Sequence, residues 1–96
     1  MPGTLLDDAQ ISDELGQLDG WRRDGDTITR SFEFADFSEA FGFMARVALA
    51  AEKRDHHPDW SNSWNRVEIA ITNHAVGGIS DLCVDLAAAI DAAAAT

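Results

Sequence analysis

The chain is short of several things, and each shortage closes off a class of answer. It has one cysteine, Cys83, in 96 residues, so no intrachain disulfide can form; this fits a reducing compartment, and a cytoplasmic location is expected. No apolar run approaches the ~20 residues that span a bilayer, and Met1-Pro2-Gly3 lacks the basic-then-apolar layout of a signal peptide. No membrane association is expected. Basic residues are scarce, 7 against 17 acidic ones, for a formal charge of −10. That field repels phosphate backbones and anionic headgroups, so direct nucleic-acid binding is not expected either. The carboxylates are scattered and read as solubilising surface. There is no GxGxxG or Walker loop to cradle a nucleotide, and no repeat of solenoid length.

What is present suits one packed domain. Hydrophobic residues make up 46% of the chain, with three Trp and five Phe as bulky core material, and residues 1–96 read as a single domain. Asp7 is a plausible N-cap for a first helix within Leu5–Leu18, whose Ile11, Leu15 and Leu18 share a stripe before Asp19-Gly20 stops it. Trp21-Arg22-Arg23 reads as a short strand and Asp24-Gly25-Asp26 as its turn. Thr27–Phe34 then alternates, with Ile28, Phe32 and Phe34 on one face and Arg30 interrupting it. The strongest helix starts at Asp36, which with Glu39 spells a capping box. Its expected core stripe is Phe37, Ala40, Phe41, Met44, Val47, Ala48 and Ala51. Lys53 and Arg54 suit its carbonyl end, and Pro58 keeps His57 out of the helix. Past Trp60, Trp64 and a turn at Asn65, Val67, Ile69 and Ile71 alternate as a strand. Gly77-Gly78 breaks it, and Ser80 caps a last helix facing inward through Leu82, Leu86 and Ile90, with Cys83 and Ala87 beside them. Its alanine-rich tail buries little and is expected to fray. The order helix, two strands, helix, two strands, helix predicts an α+β domain: a four-stranded antiparallel sheet with three helices on one face. So small a sheet has exposed edges, which invite pairing between subunits.

All three histidines fall in two places. Asp55-His56-His57-Pro58-Asp59-Trp60 follows the long helix, and His74 follows the last strand beside Gly77-Gly78. Neighbours on a flat strand point to opposite faces, so His56 and His57 can share a pocket only from a turn or a helix exit. Three readings are open: surface or interfacial histidines, a zinc site, and acid–base catalysis. Zinc would be served by three His and a carboxylate, but neither an HExxH helix nor a cysteine pair is present. Imidazole gives and takes protons near neutral pH without large tuning. No Ser-His-Asp or Cys-His arrangement stands out, and Cys83 on a helix face reads as packed. Trp60 and Trp64 offer stacking surfaces to a flat ligand or, as readily, core material. What remains is cofactor-free proton transfer on a small molecule.

Ala51-Glu52-Lys53-Arg54-Asp55-His56-His57-Pro58-Asp59-Trp60, then Trp64-Asn65-Arg66-Val67, Thr72-Asn73-His74 and Gly77-Gly78-Ile79-Ser80, resemble the pterin-4a-carbinolamine dehydratase family. Phe34, Phe37, Ala40-Phe41, Val47-Ala48 and Leu18-Asp19-Gly20-Trp21 are similar too, so the resemblance covers nearly the whole chain. It implies the same α+β fold, assembly as a homodimer or homotetramer, and dehydration of 4a-hydroxytetrahydropterins to quinonoid dihydropterins. That reaction is a hydro-lyase step that recycles tetrahydrobiopterin for aromatic amino acid hydroxylases. It further implies His56 and His74 as the acid–base pair, with His57 holding the substrate and counted with them among the catalytic residues. Pro58 would form pocket wall, Asn73, Ala75 and Val76 would contact the pterin beside His74, and Glu52 and Trp60 would support the ring's polar edge. No metal or cofactor is implied. Some members also bind transcription factors as dimerisation cofactors, which gives a second expectation: a catalytically weak pterin-binding or protein-interaction module. Asn73 stands where the family usually has threonine, and Cys83 where it usually has an aspartate able to orient an imidazole.

Overall fold

The computed structural model describes residues 2–96. The elements run α1 (Asp8–Leu15), β1 (Arg22–Asp24), β2 (Thr27–Glu33), α2 (Phe37–Arg54), β3 (Asp59–Ser63), β4 (Arg66–Ile71) and α3 (Asp81–Ala94). All strand pairs are antiparallel, in the order β1-β2-β4-β3, so β1 and β3 are the edges. This is the α+β architecture predicted from the pattern. Among the described residues no helix is long and apolar enough to cross a membrane.

Alternation fixes which sheet face is buried. Ile28 and Phe32 of β2 and Val67, Ile69 and Ile71 of β4 turn toward the helices, where they meet Ile11, Ala40, Phe43, Val47, Leu86 and Ile90 in one cluster. Thr29, Ser31, Glu68 and Ser61 occupy the opposite face, a polar concavity of about 730 Å³ with no helix over it. Arg30 lies on the core-facing side of β2. Its guanidinium stacks 4.4 Å from the Phe32 centroid and pairs with Asp91 at 2.9 Å. Asp91 also accepts the Trp21 indole N–H at 2.9 Å, so one carboxylate ties the start of β1, the middle of β2 and the far end of α3.

Several expectations are corrected. The inward stripe of α2 is Ala40, Phe43, Val47 and Ala51, while Phe37 and Phe41 are 49% and 58% exposed. The helix carries apolar residues round most of its circumference, and packing against the sheet selects the stripe through Phe43. The capping box of α2 is only half made: Asp36 accepts Glu39 N–H at 2.8 Å, but the Glu39 carboxylate receives Ala35 N–H at 3.4 Å. The full reciprocal box is in α1, between Asp7 and Gln10. The first helix is shorter than expected, with Leu18 in the turn that follows it. In α3 the innermost positions are Cys83, Leu86, Ala87 and Ile90, with Leu82 only half-buried. The alanine tail, expected to fray, is part of α3. It stays helical to Ala94, and Arg46 of α2 donates to Ala93 O at 3.1 and 3.3 Å, supplying a carbonyl that would otherwise lack a partner.

Candidate active site

The exit of α2 decides where the two adjacent histidines go. Asp55 adopts the left-handed conformation, φ 49 and ψ 41, which carboxamide and carboxylate side chains tolerate better than most. Asp55 N–H then bonds Glu52 O and His56 N–H bonds Ala51 O, each at 3.1 Å, the paired closures of a Schellman motif. His56 is held against the helix end, and His57, extended ahead of Pro58, leaves the other way. The two imidazoles therefore diverge.

His57 is partly exposed. Its Nε2–H donates to the Glu52 carboxylate at 2.7 Å, and both residues line a cavity of about 410 Å³ completed by Ala48, Leu49, Pro58 and Trp60. The cavity is apolar apart from this pair, a setting suited to the face of a flat heterocycle with one polar edge. Trp64 is not part of it: this residue occupies the β3–β4 turn and is 64% exposed.

His56 is only 8% exposed, and its Nε2 lies 3.5 Å from Cys83 Sγ on α3. Burial pushes its pKa below the ordinary 6.5, the neighbouring His57 pushes the same way, and Asp55 partly opposes them. His56 is thus disposed to be neutral at neutral pH.

His74 begins an exposed loop, 74–77, between β4 and α3. Asn73 organises this loop. Its N–H donates to Gly78 O at 2.9 Å, its carbonyl receives Gly77 N–H at 3.0 Å, and its Oδ1 accepts Ala75 N–H at 3.1 Å, an Asx turn. Gly77 supplies the positive φ of 79 that closes the loop. Asn73 Nδ2 donates to Pro2 O and to Ser80 Oγ at 2.9 Å, so the loop is anchored on both the N-terminal segment and the start of α3. Among the described residues no hydrogen bond joins His74 to either other histidine. What connects it to His56 is the buried series Asn73, Ser80, Cys83, His56.

The expected site residues thus fall into three groups. Glu52, His57, Pro58 and Trp60 share the cavity, His56 and Asn73 lie in the buried series, and His74, Ala75 and Val76 form the loop. Ser80 is the member that the sequence offered only as a helix cap; its spacing from Cys83, with a side-chain acceptor at the third helical position, was the available signal. Among the described residues no group of three or more His, Cys, Asp or Glu is placed to hold a metal ion.

Comparison with known proteins converges on one family. The family described as Pterin 4 alpha carbinolamine dehydratase matches residues 4–93. A protein of Rhizorhabdus wittichii, provisionally named pterin-4-alpha-carbinolamine dehydratase, is 55% identical over 93% of this chain and 94% of its own length. A protein of Brucella ovis with the same provisional name is 47% identical over 98% and 99%. The crystal structure of a transcriptional coactivator/pterin dehydratase from Brucella melitensis superposes with a TM-score of 0.90 at 45% identity, covering 93% of this chain and 97% of that one. A pterin dehydratase-like RuBisCO assembly factor of the alpha-carboxysome shares the fold, with a TM-score of 0.69 at 22% identity over 80% of this chain and 92% of that one.

Proposed function

This chain belongs to the pterin-4a-carbinolamine dehydratase family, and from that premise we propose that it dehydrates 4a-hydroxytetrahydropterins to quinonoid dihydropterins by histidine acid–base chemistry. The observation that carries the reading is the apolar cavity with a single polar edge, His57 on Glu52, beside a helix exit that turns His56 inward. In the reaction the C4a–O bond breaks, the oxygen takes a proton and leaves as water, and the adjacent ring nitrogen loses its proton as the C=N bond forms. The nitrogen lone pair drives the departure, so the protein has to supply a donor at oxygen and an acceptor at nitrogen. His56 and His74 are assigned these tasks and can serve opposite faces of the ring. His57 and Glu52 hold the heterocycle over Pro58 and Trp60, with Asn73, Ala75 and Val76 contacting it from the loop side. One well-placed acid or base contributes about 10²–10⁴-fold.

The test is quinonoid dihydropterin formation, followed by absorbance in an assay coupled to an aromatic amino acid hydroxylase. His56→Ala and His74→Ala are expected to slow turnover by about 10²-fold or more with unchanged circular dichroism. Wild-type protein that does not accelerate the reaction would overturn the proposal.

A second reading rests on the outer face of α2, where Phe37, Phe41 and Leu49 are exposed in a chain resembling a Brucella protein described as transcriptional coactivator/pterin dehydratase. Under it the chain is a catalytically weak interaction module. Retention of a specific protein partner by an inactive chain would favour it, and full activity without one would count against it. Both readings accommodate a homodimer or homotetramer.

A further inference from the structure

The buried series from Asn73 to His56 constrains where its protons lie. Pro2 O is a carbonyl and can only accept, so the Asn73 atom facing it is the amide nitrogen; the opposite atom, Oδ1, accepts Ala75 N–H accordingly. The other Nδ2 proton goes to Ser80 Oγ at 2.9 Å. Having accepted there, Ser80 Oγ is free to turn its own proton toward Cys83 Sγ at 3.7 Å, and Ser80 N–H points to the same sulfur at 3.5 Å. The sulfur therefore meets two donors and has one proton to give. His56 Nε2, at 3.5 Å, is the acceptor left within reach.

We infer that Cys83 is a positioning residue whose S–H donates to His56 Nε2 and fixes the imidazole as its neutral Nδ1–H tautomer. A second observation locates the free nitrogen. Among the described residues Nδ1 has no hydrogen-bond partner, yet no buried side-chain nitrogen or oxygen is left unpartnered. Nδ1 is therefore the nitrogen that solvent, or a substrate, reaches. The charged and titratable groups facing the ring are Asp55 and His57 from its own turn and Cys83 from α3; burial outweighs Asp55 and keeps the ring neutral. The chemical consequence rests on the dehydratase reading: His56 meets the pterin with an N–H that hydrogen-bonds the departing oxygen and keeps its proton, the oxygen takes the proton that makes it water from solvent, and the ring-nitrogen proton falls to His74. A carboxylate at position 83 would instead accept Nε2–H and leave a lone pair at Nδ1.

The test is long-range ¹H–¹⁵N correlation of the imidazoles in the full ¹⁵N-labelled chain, without substrate, at neutral pH. Wild type is expected to show a protonated Nδ1 and a bare Nε2 on His56, and Cys83→Ser, whose hydroxyl also donates, is expected to keep that pattern. Cys83→Asp is expected to protonate Nε2 and to raise the His56 titration midpoint by about 1–3 pH units, so that above the new midpoint Nδ1 is the bare nitrogen. An Nε2–H tautomer in wild type overturns the inference, as does an Nε2 that stays bare in a folded Cys83→Asp protein; should that variant not fold, wild type and Cys83→Ser decide. Because no turnover is involved, an inactive chain with the Nδ1–H tautomer defeats only the dehydratase reading, and an active chain with Nε2–H defeats only the tautomer.

Discussion

Two histidines adjacent in sequence end in opposite environments, and the difference predicts a pH dependence of stability. Unfolded His56 titrates near 6.5, and the folded side chain titrates lower because of burial first and His57 second. Between those values the unfolded chain holds more protons than the folded one, so stability rises with pH. The contribution is fully present above the unfolded value and is lost as pH falls through the folded one. His56→Gln, which cannot protonate, is expected to flatten the fall in melting temperature between about pH 7 and pH 5; an unchanged slope would show that His56 does not carry it. At this scale the sequence located the two histidine segments, but periodicity and spacing did not show what each imidazole faces. Cys83 lies 27 positions from His56, and neither periodicity nor spacing could reveal that a thiol would meet an imidazole there. Asn73 was an expected substrate contact, but the sequence did not mark it as the side chain that bonds Ala75, Ser80 and Pro2 together, which one threonine hydroxyl could not do.

Among the elements, those bounded by strong local signals were the easiest to read. Asp7 and Asp36 cap the first two helices through their side chains, Ser80 holds the N-cap of α3 without a side-chain cap hydrogen bond, and the alternation of β2 and β4 gives the buried face directly. The misread stripe of α2 has a physical cause: Phe37, Phe41 and Phe43 offer two overlapping apolar stripes, and only the tertiary crossing chooses between them. The helical alanine tail was misread for a related reason, since the contact that Arg46 of another helix makes with it leaves no local sequence signal. The β3–β4 hairpin presents a different case. Trp64 stands in the turn at φ 51, a conformation that costs a side chain with a Cβ about 1–2 kcal/mol, and with 64% of its surface exposed it recovers little by packing. Trp64→Gly is expected to stabilise the domain by up to about 1 kcal/mol in urea unfolding, relief of the turn being partly offset by a more flexible unfolded chain. A loss of stability would mean that the indole packs more productively than its exposure suggests.

On the scale of the whole molecule, charge and apolar surface oppose one another. A net charge of −10 keeps copies apart, yet Phe37, Phe41, Ala45 and Leu49 follow one another at four-residue spacing along the exposed side of α2, leading to the cavity that holds His57. Covering this stripe with a second copy would bury aromatic surface beside the site and rigidify its wall. Wild type is accordingly expected to sediment as a dimer or tetramer, more firmly at higher salt, and Phe41→Glu to shift it toward a smaller species; a monomeric wild type would refute the assignment. The N-terminal segment has a different consequence. Leu5 bridges Ser80, Thr4 N–H bonds the Asp81 carboxylate at 2.8 Å, and Asn73 reaches Pro2 O, contacts that join residues more than 70 positions apart. Closing so long a loop is entropically slow and gains little until the sheet and α3 exist to receive it. Docking of this segment therefore belongs late in folding, and the loop that carries His74 acquires its final anchor only after the rest of the domain is in place.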